Sequence, residues 1–158
     1  MTHRQVIDVL RELPGQVEEL VQGLNELALT CQPGPNGWSI KEVCAHLRDA
    51  IETDGSRIQH MLTENNPQLP AYDQEERARS RNYQQEDTAR VLLALRAFAG
   101  GVAYLLEGMA DADWTRTGQH EEAGRQTIEQ RAELMAAHAR EHLAQIKTLR
   151  AALPAHGG

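Results

Sequence analysis

Near the C-terminal end of the chain stands His138-Ala139-Arg140-Glu141-His142. Histidines four residues apart on a helix differ by about 40° in direction and by one turn in height. Both imidazoles can therefore reach one metal ion, and neutral imidazole is a good ligand for divalent transition metals. The pair shares its face with Met135, Gln145, Ile146 and Leu149, a stripe that reads as buried. Imidazoles on such a stripe need partners, because an unpaired buried polar group costs free energy. A metal ion meets that need, and so do hydrogen bonds to carbonyls or carboxylates.

Read literally, the same five residues match the His-x-x-Glu-His pattern of inverted zinc peptidases. Those enzymes take a further acidic ligand from downstream, whereas no aspartate or glutamate follows His142 here. Any further ligand must come from upstream, where His3, His46, His60 and His120 are available. His3 lies at the start of the chain, His60 near the far end of its helix, and His120 in a loop. His46 differs, because it stands on an apolar stripe between Val43, Leu47 and Ala50. Taken with the pair, it completes a three-histidine set inside a helical core. Three imidazoles leave a coordination position for water or substrate. The alternative is a core histidine satisfied by its neighbours.

The elements that must position these residues are helices. Apolar residues recur at helical spacing in four long segments, and no stretch alternates long enough to argue for a strand. The first helix is expected from about Thr2 to Leu29, interrupted at Pro14-Gly15. Gln32 to Gly37 is a loop, and Ser39 with Glu42 forms a capping box that opens the second helix, which ends near Asn65-Asn66-Pro67. A polar connection from Pro67 to about Glu86 reads as a flap or a crossover along the bundle. The third helix spans about Glu86 to Met109, with close packing or a kink expected at Gly100-Gly101. Thr127 and Gln130 cap the fourth, which runs to about Leu153. Four such helices make an all-α fold, a four-helix bundle with long connections, in one domain over residues 1–158 with a helical core from about 3 to 153.

Composition agrees with this and removes other classes. Hydrophobic residues make up 41% and charged residues 25% of the 158, ordinary values for a globular domain. Sixteen basic against 23 acidic residues give a net charge of −7, which argues against nucleic-acid binding by phosphate neutralisation. No apolar run approaches the roughly 18 residues of a membrane span, and the N-terminus lacks a signal-peptide core. A cytoplasmic location with no membrane partner is expected. Cys31 and Cys44 do not make a disulfide framework.

Three clusters, taken together, resemble the DinB-like superfamily. They are Trp38-Ser39-x-x-Glu42-Val43-x-x-His46-Leu47-x-Asp49, then His120-x-x-x-Gly124-x-x-Thr127, then His138-x-x-x-His142-Leu143-x-Gln145-Ile146. The resemblance covers essentially the whole chain, in order and spacing. That group includes damage-inducible proteins, YfiT-type metalloenzymes and low-molecular-weight-thiol transferases. It implies a four-helix bundle, often a homodimer, holding one divalent metal (Zn, Ni, Mn or Fe) on three histidines, which here are His46, His138 and His142. The first helix, apolar on more than one side around Val17, Leu20, Val21 and Leu24, is compatible with dimerisation. Departures from the family's pattern occur at Ile51, at Ala99-Gly100-Gly101 after Phe98, and at Glu121; they spare the histidines and bear on the substrate.

Around such a site, Asp49 is the candidate partner for the second nitrogen of His46, with an interhelical ion pair as its alternative. Glu141 is a candidate general base flanking the metal, and Gln145 a candidate support one turn beyond the pair. Glu42 is explained by its cap, Cys44 reads as core, and the Arg77, Arg79, Arg81 run reads as a solvated loop able to meet an anionic substrate. His3, His60 and His156 read as incidental. The expected activity is metal-dependent hydrolysis, or transfer or isomerisation with a low-molecular-weight thiol, on a small-molecule substrate. The alternative is a non-catalytic, stress-associated dimeric bundle whose metal is structural or vestigial.

Overall fold

Three of the four long helices begin at a side chain that closes on the backbone three residues ahead. Capping boxes pair Thr2 with Gln5, Ser39 with Glu42 and Thr127 with Gln130, and Asp87 accepts from the amide of Ala89 at the fourth start. Each satisfies amides that a helix N-terminus leaves free. In the computed structural model, which describes residues 1–154, these starts open α1 (His3–Val21), α3 (Ile40–Thr63), α5 (Thr88–Glu107) and α6 (Ile128–Ala151). Short helices α2 (Glu26–Leu29) and α4 (Gln74–Ser80) lie in the connections. His156 lies outside the described residues.

Consecutive long helices are not always neighbours. α1 packs against α5 and α6, and α3 packs against the same two. The pairs α1/α3 and α5/α6 therefore face each other across the diagonals of a four-helix bundle. The core between them is built from Leu10, Leu13, Val17, Val43, Leu47, Ile58, Leu95, Leu106 and Ile146, among others.

Several boundaries differ from expectation. α1 runs through Pro14, whose ring is buried, and stops at Val21. The break comes at Gly23, whose φ of 80° is left-handed, a conformation that ends helices and suits glycine. Pro14 forgoes one helical hydrogen bond but fills core space. Three short strands, which the sequence did not lead one to expect, accompany the helices of this all-α bundle. β1 (Gln68–Leu69) pairs in parallel with β2 (Thr117–His120), which pairs antiparallel with β3 (Gly124–Thr127). At two to four residues they are too short to show alternation. This sheet joins the α3–α5 connection to the α5–α6 connection.

The 67–86 connection is not a free loop. It carries β1, α4 and a single 3-10 turn at Tyr83–Gln85, and both α4 and that turn pack on α3. Gly100 and Gly101 show no close packing, since a Cβ at either would meet nothing within 4 Å. The tight approach of α3 to α5 is at Gly55 instead, where a Cβ would stand 2.7 Å from Val102 Cγ2. α5 is long and apolar enough to cross a membrane by length and composition, with a mean hydropathy of 1.6, although Arg90 and Arg96 interrupt it. Here it lies against α1 and α3. Its outer side exposes Leu93 and Tyr104, whereas Leu20, Val21 and Leu24 on the first helical stretch are half-buried.

Candidate metal centre

His46 sits mid-way along the first half of α3, fully enclosed at 1% exposure. Among the described residues neither of its ring nitrogens has a hydrogen-bond partner. That is a costly arrangement for a buried imidazole and calls for an explanation. α6 supplies His142, whose ring centroid is 4.5 Å from that of His46, and His138, 5.6 Å from His142. His142 is half-buried and His138 exposed, so the three imidazoles run from the core outward. Trp38, just before the α3 cap, covers His46 from another side at 5.0 Å between centroids.

Donor chemistry at this cluster suits a divalent ion. Burial lowers the pKa of His46 to about 4, with His142 and then His138 adding to the effect. Burial also lowers that of His142, against a hydrogen bond to Gln145 that raises it. Both rings are thus neutral near pH 7, with lone pairs to offer. Nδ1 of His142 lies 2.8 Å from Gln145 Oε1; an amide oxygen only accepts, so Nδ1 carries the proton and Nε2 is left for a ligand. As the side chains stand, no three His, Cys, Asp or Glu donors among the described residues gather around one metal-sized point. His46 and His142 suit such an ion in type and in neutrality, and the exposed His138 stands one turn back on α6 with its ring 5.6 Å from that of His142.

The flanking candidates divide. Asp49 is fully buried but does not bond His46. It accepts from Arg48 Nε at 3.0 Å, from Arg81 at 2.8 Å and from the Tyr83 hydroxyl, which is the ion-pair alternative. Glu141 is exposed. Glu42 accepts from the Ser39 amide and from Gln32, as its cap role requires. Cys44 is buried, and desolvation pushes its thiol up to about 12, so it stays protonated. Arg77 is no solvated arginine: it lies 3.9 Å over the Tyr72 ring and donates to Thr53. His3 lies apart from this cluster; it stacks on Trp114 with centroids 3.7 Å apart and bonds Glu129 at 2.7 Å.

A cavity of about 180 Å³ opens beside the histidines, lined by His46, His138, His120, Asp54, Arg57 and Arg131, with Tyr72 and Gln74 at its side. Larger cavities lie elsewhere, among them an apolar groove between α3 and α5. His120, at the end of β2, reaches the histidine cavity because the sheet folds over the bundle end. Asp54, Arg57 and Arg131 escaped the sequence reading, although a signal existed. Arg57 points within about 20° of His46 three turns along α3, and Arg131 within about 20° of His138 two turns back. Each thus shares the helix face of a candidate histidine.

Comparison with known proteins agrees with this architecture. The DinB superfamily is matched over residues 9–146. A protein of Halalkalibacterium halodurans named "putative metal-dependent hydrolase" is 31% identical over 142 residues, covering 89% of this chain and 82% of its own length. One of Geobacillus kaustophilus with the same description is 31% identical over 145 residues, covering 91% and 82%. The solved structure of YfiT from Bacillus subtilis superposes with a TM-score of 0.87 at 25% identity, over 93% of this chain and 85% of that one. It is described as "a probable metal-dependent hydrolase with an unusual four-helix bundle topology". With nearly the full chain matched in sequence and in fold, this protein belongs to the DinB superfamily.

Proposed function

We propose that the protein is a metal-dependent hydrolase acting on a small molecule, with one divalent ion held by His46, His138 and His142. The observation that carries this is His46, an imidazole at 1% exposure with both nitrogens unpartnered, against a second histidine from another helix. The names of the relatives point the same way. The chemistry a divalent ion supplies in a three-histidine site is Lewis acidity and a lowered pKa for water.

The chain's own residues do the rest. Burial keeps His46 unprotonated, and Gln145 fixes the tautomer of His142. Trp38 and the surrounding core exclude water from the inner side, while the exposed His138 and the adjoining cavity leave an outer side for substrate. An open side favours catalysis over a closed structural site.

The test is elemental analysis of the purified protein together with hydrolysis of a panel of small esters and amides. About one ion of Zn, Ni, Mn or Fe per chain is expected, lost along with hydrolysis in His142→Ala while far-UV circular dichroism is unchanged. A wild-type protein with no affinity for any of the four metals sinks the proposal. Turnover that needs an added low-molecular-weight thiol would reassign the same site to group transfer.

A further inference from the structure

Two guanidinium groups share one carboxylate at the wall of the histidine cavity. Asp54, 5% exposed, accepts from Arg57 Nη1 at 3.1 Å and from Arg131 Nε at 3.0 Å. Arg57 also donates to the Pro70 carbonyl at 2.6 Å, and Arg131 to Gln126 at 2.8 Å. Arg57 Nε and Arg131 Nη2 make no hydrogen bond among the described residues, yet neither is a sealed, unsatisfied atom. Both residues line the cavity, and Arg57 also lines the neighbouring cavity of Arg77 and Arg81, so Arg131 Nη2 has the histidine cavity or solvent as its outlet and Arg57 Nε has either cavity or solvent.

His120 adds a third donor. Its Nδ1 accepts from the amides of Glu122 and Ala123 at 3.1 and 3.0 Å, which places the remaining ring proton on Nε2. Burial, then Arg57 and Arg131, lower its pKa, so near pH 7 it is a neutral donor rather than a cation. Glu122 also lines the cavity but is exposed to solvent, whereas Asp54 is already shared. A buried surplus of guanidinium beside a ring N–H is the chemistry that recognises a carboxylate, since Arg offers a planar fork matched to two oxygens.

We propose that Arg57, Arg131 and His120 form a carboxylate-binding wall in the cavity beside His46 and His138. The wall selects small molecules that bear one free carboxylate. This rests on the hydrolase reading only for the use made of the bound molecule; the wall itself is a property of the metal-free chain.

The probes are monomethyl succinate, which keeps one carboxylate, and dimethyl succinate, which keeps none. Each is titrated into the full-length, metal-stripped protein while arginine Nε–H and histidine resonances are followed by NMR. The half-ester should bind about tenfold or more tightly than the diester, as expected for charge-assisted hydrogen bonds. The shifts should concentrate at Arg57, Arg131 and His120. Arg131→Gln should bring the two affinities to within about twofold, and Arg131→Lys, which keeps charge but loses the fork, should fall between. A purely structural arginine would lower thermal stability in both variants and leave the half-ester preference intact, which overturns the proposal. Equal affinity for the two probes in the wild type also overturns it. So does a preference whose shifts fall at Arg77 and Arg81 and spare Arg131 and His120, which would place the probe in the neighbouring cavity that Arg57 also lines. Because no metal is present, loss of the hydrolase reading in its own test leaves these outcomes standing.

Discussion

Burial holds the pKa of His46 down to about 4, with His142 and His138 pushing the same way and Asp49 opposing. An unfolded histidine titrates near 6.5, so protons favour the unfolded chain. The folded-state pKa lies below the unfolded one, which means this contribution is fully present above pH ~6.5. It is lost as pH falls toward 4, by about 3 kcal/mol in the metal-free protein. Denaturant melts across that range should show the loss, and His46→Leu should remove this part of it. The leucine also ends the isolation of two buried nitrogens, so at pH 7 the metal-free variant should be more stable than wild type by about 1–3 kcal/mol. A variant that is less stable and keeps the full pH slope would show that His46 has a satisfying partner. The approach of His46 to His142 was readable because histidines stood out on two apolar stripes. Asp54, Arg57 and Arg131 were not read, since their burial depends on the sheet and on the 67–86 connection closing over them. Asp49 was misdirected because helical spacing shows which face a residue shares, while its real partners, Arg81 and Tyr83, come from a distant segment.

Glycines test how the helices meet. At Gly55 in α3 an added Cβ would stand 2.7 Å from Val102 Cγ2 of α5, too close unless the valine side chain or a helix shifts, and overpacking of this kind costs about 1–3 kcal/mol. At Gly101 in α5 nothing lies within 4 Å, so alanine adds helix propensity with no steric penalty, a gain of about 0.5–1 kcal/mol. Equilibrium unfolding should therefore move in opposite directions for Gly55→Ala and Gly101→Ala. Equal shifts of one sign would mean that the α3–α5 approach is wider than described. The glycine pair at 100–101 drew attention in the sequence because two glycines weaken a helix, whereas the single Gly55 did not; only the partner helix makes it a contact point. Helix starts were legible for the opposite reason. A capping box is closed within four residues, and Ser39 with Glu42 and Thr127 with Gln130 need no knowledge of the rest of the fold. The end of α1 at Gly23 and the strands of two to four residues depend on tertiary pairing and were missed.

Across the whole molecule, the proposed site straddles the seam between α3 and α6, two helices far apart in the chain and joined by no short loop. α6 brings to its core side three alanines, Ala132, Ala136 and Ala139, with Ile128, Met135, Leu143 and Ile146, and the histidines take positions that larger apolar side chains would fill. The seams of α1 carry Leu10, Leu13 and Val17. Without metal, the α6 turns around His138 and His142 have less apolar burial holding them to α3 and should open before the rest, while the helices themselves persist. Removing the ion with a chelator should thus leave the far-UV circular dichroism intact and show, by amide exchange, weaker protection over residues 139–146 than in the first half of α1. An ion that binds only the closed seam stabilises it by RT ln(1 + [L]/Kd), so at a hundredfold excess over Kd protection there should rise about a hundredfold, or about 2.7 kcal/mol. Uniform protection before metal addition and no gain after it would mean that α3 and α6 are held by packing alone. The three histidines would then be core residues that bind no ion, and the open side beside them would have lost its chemistry.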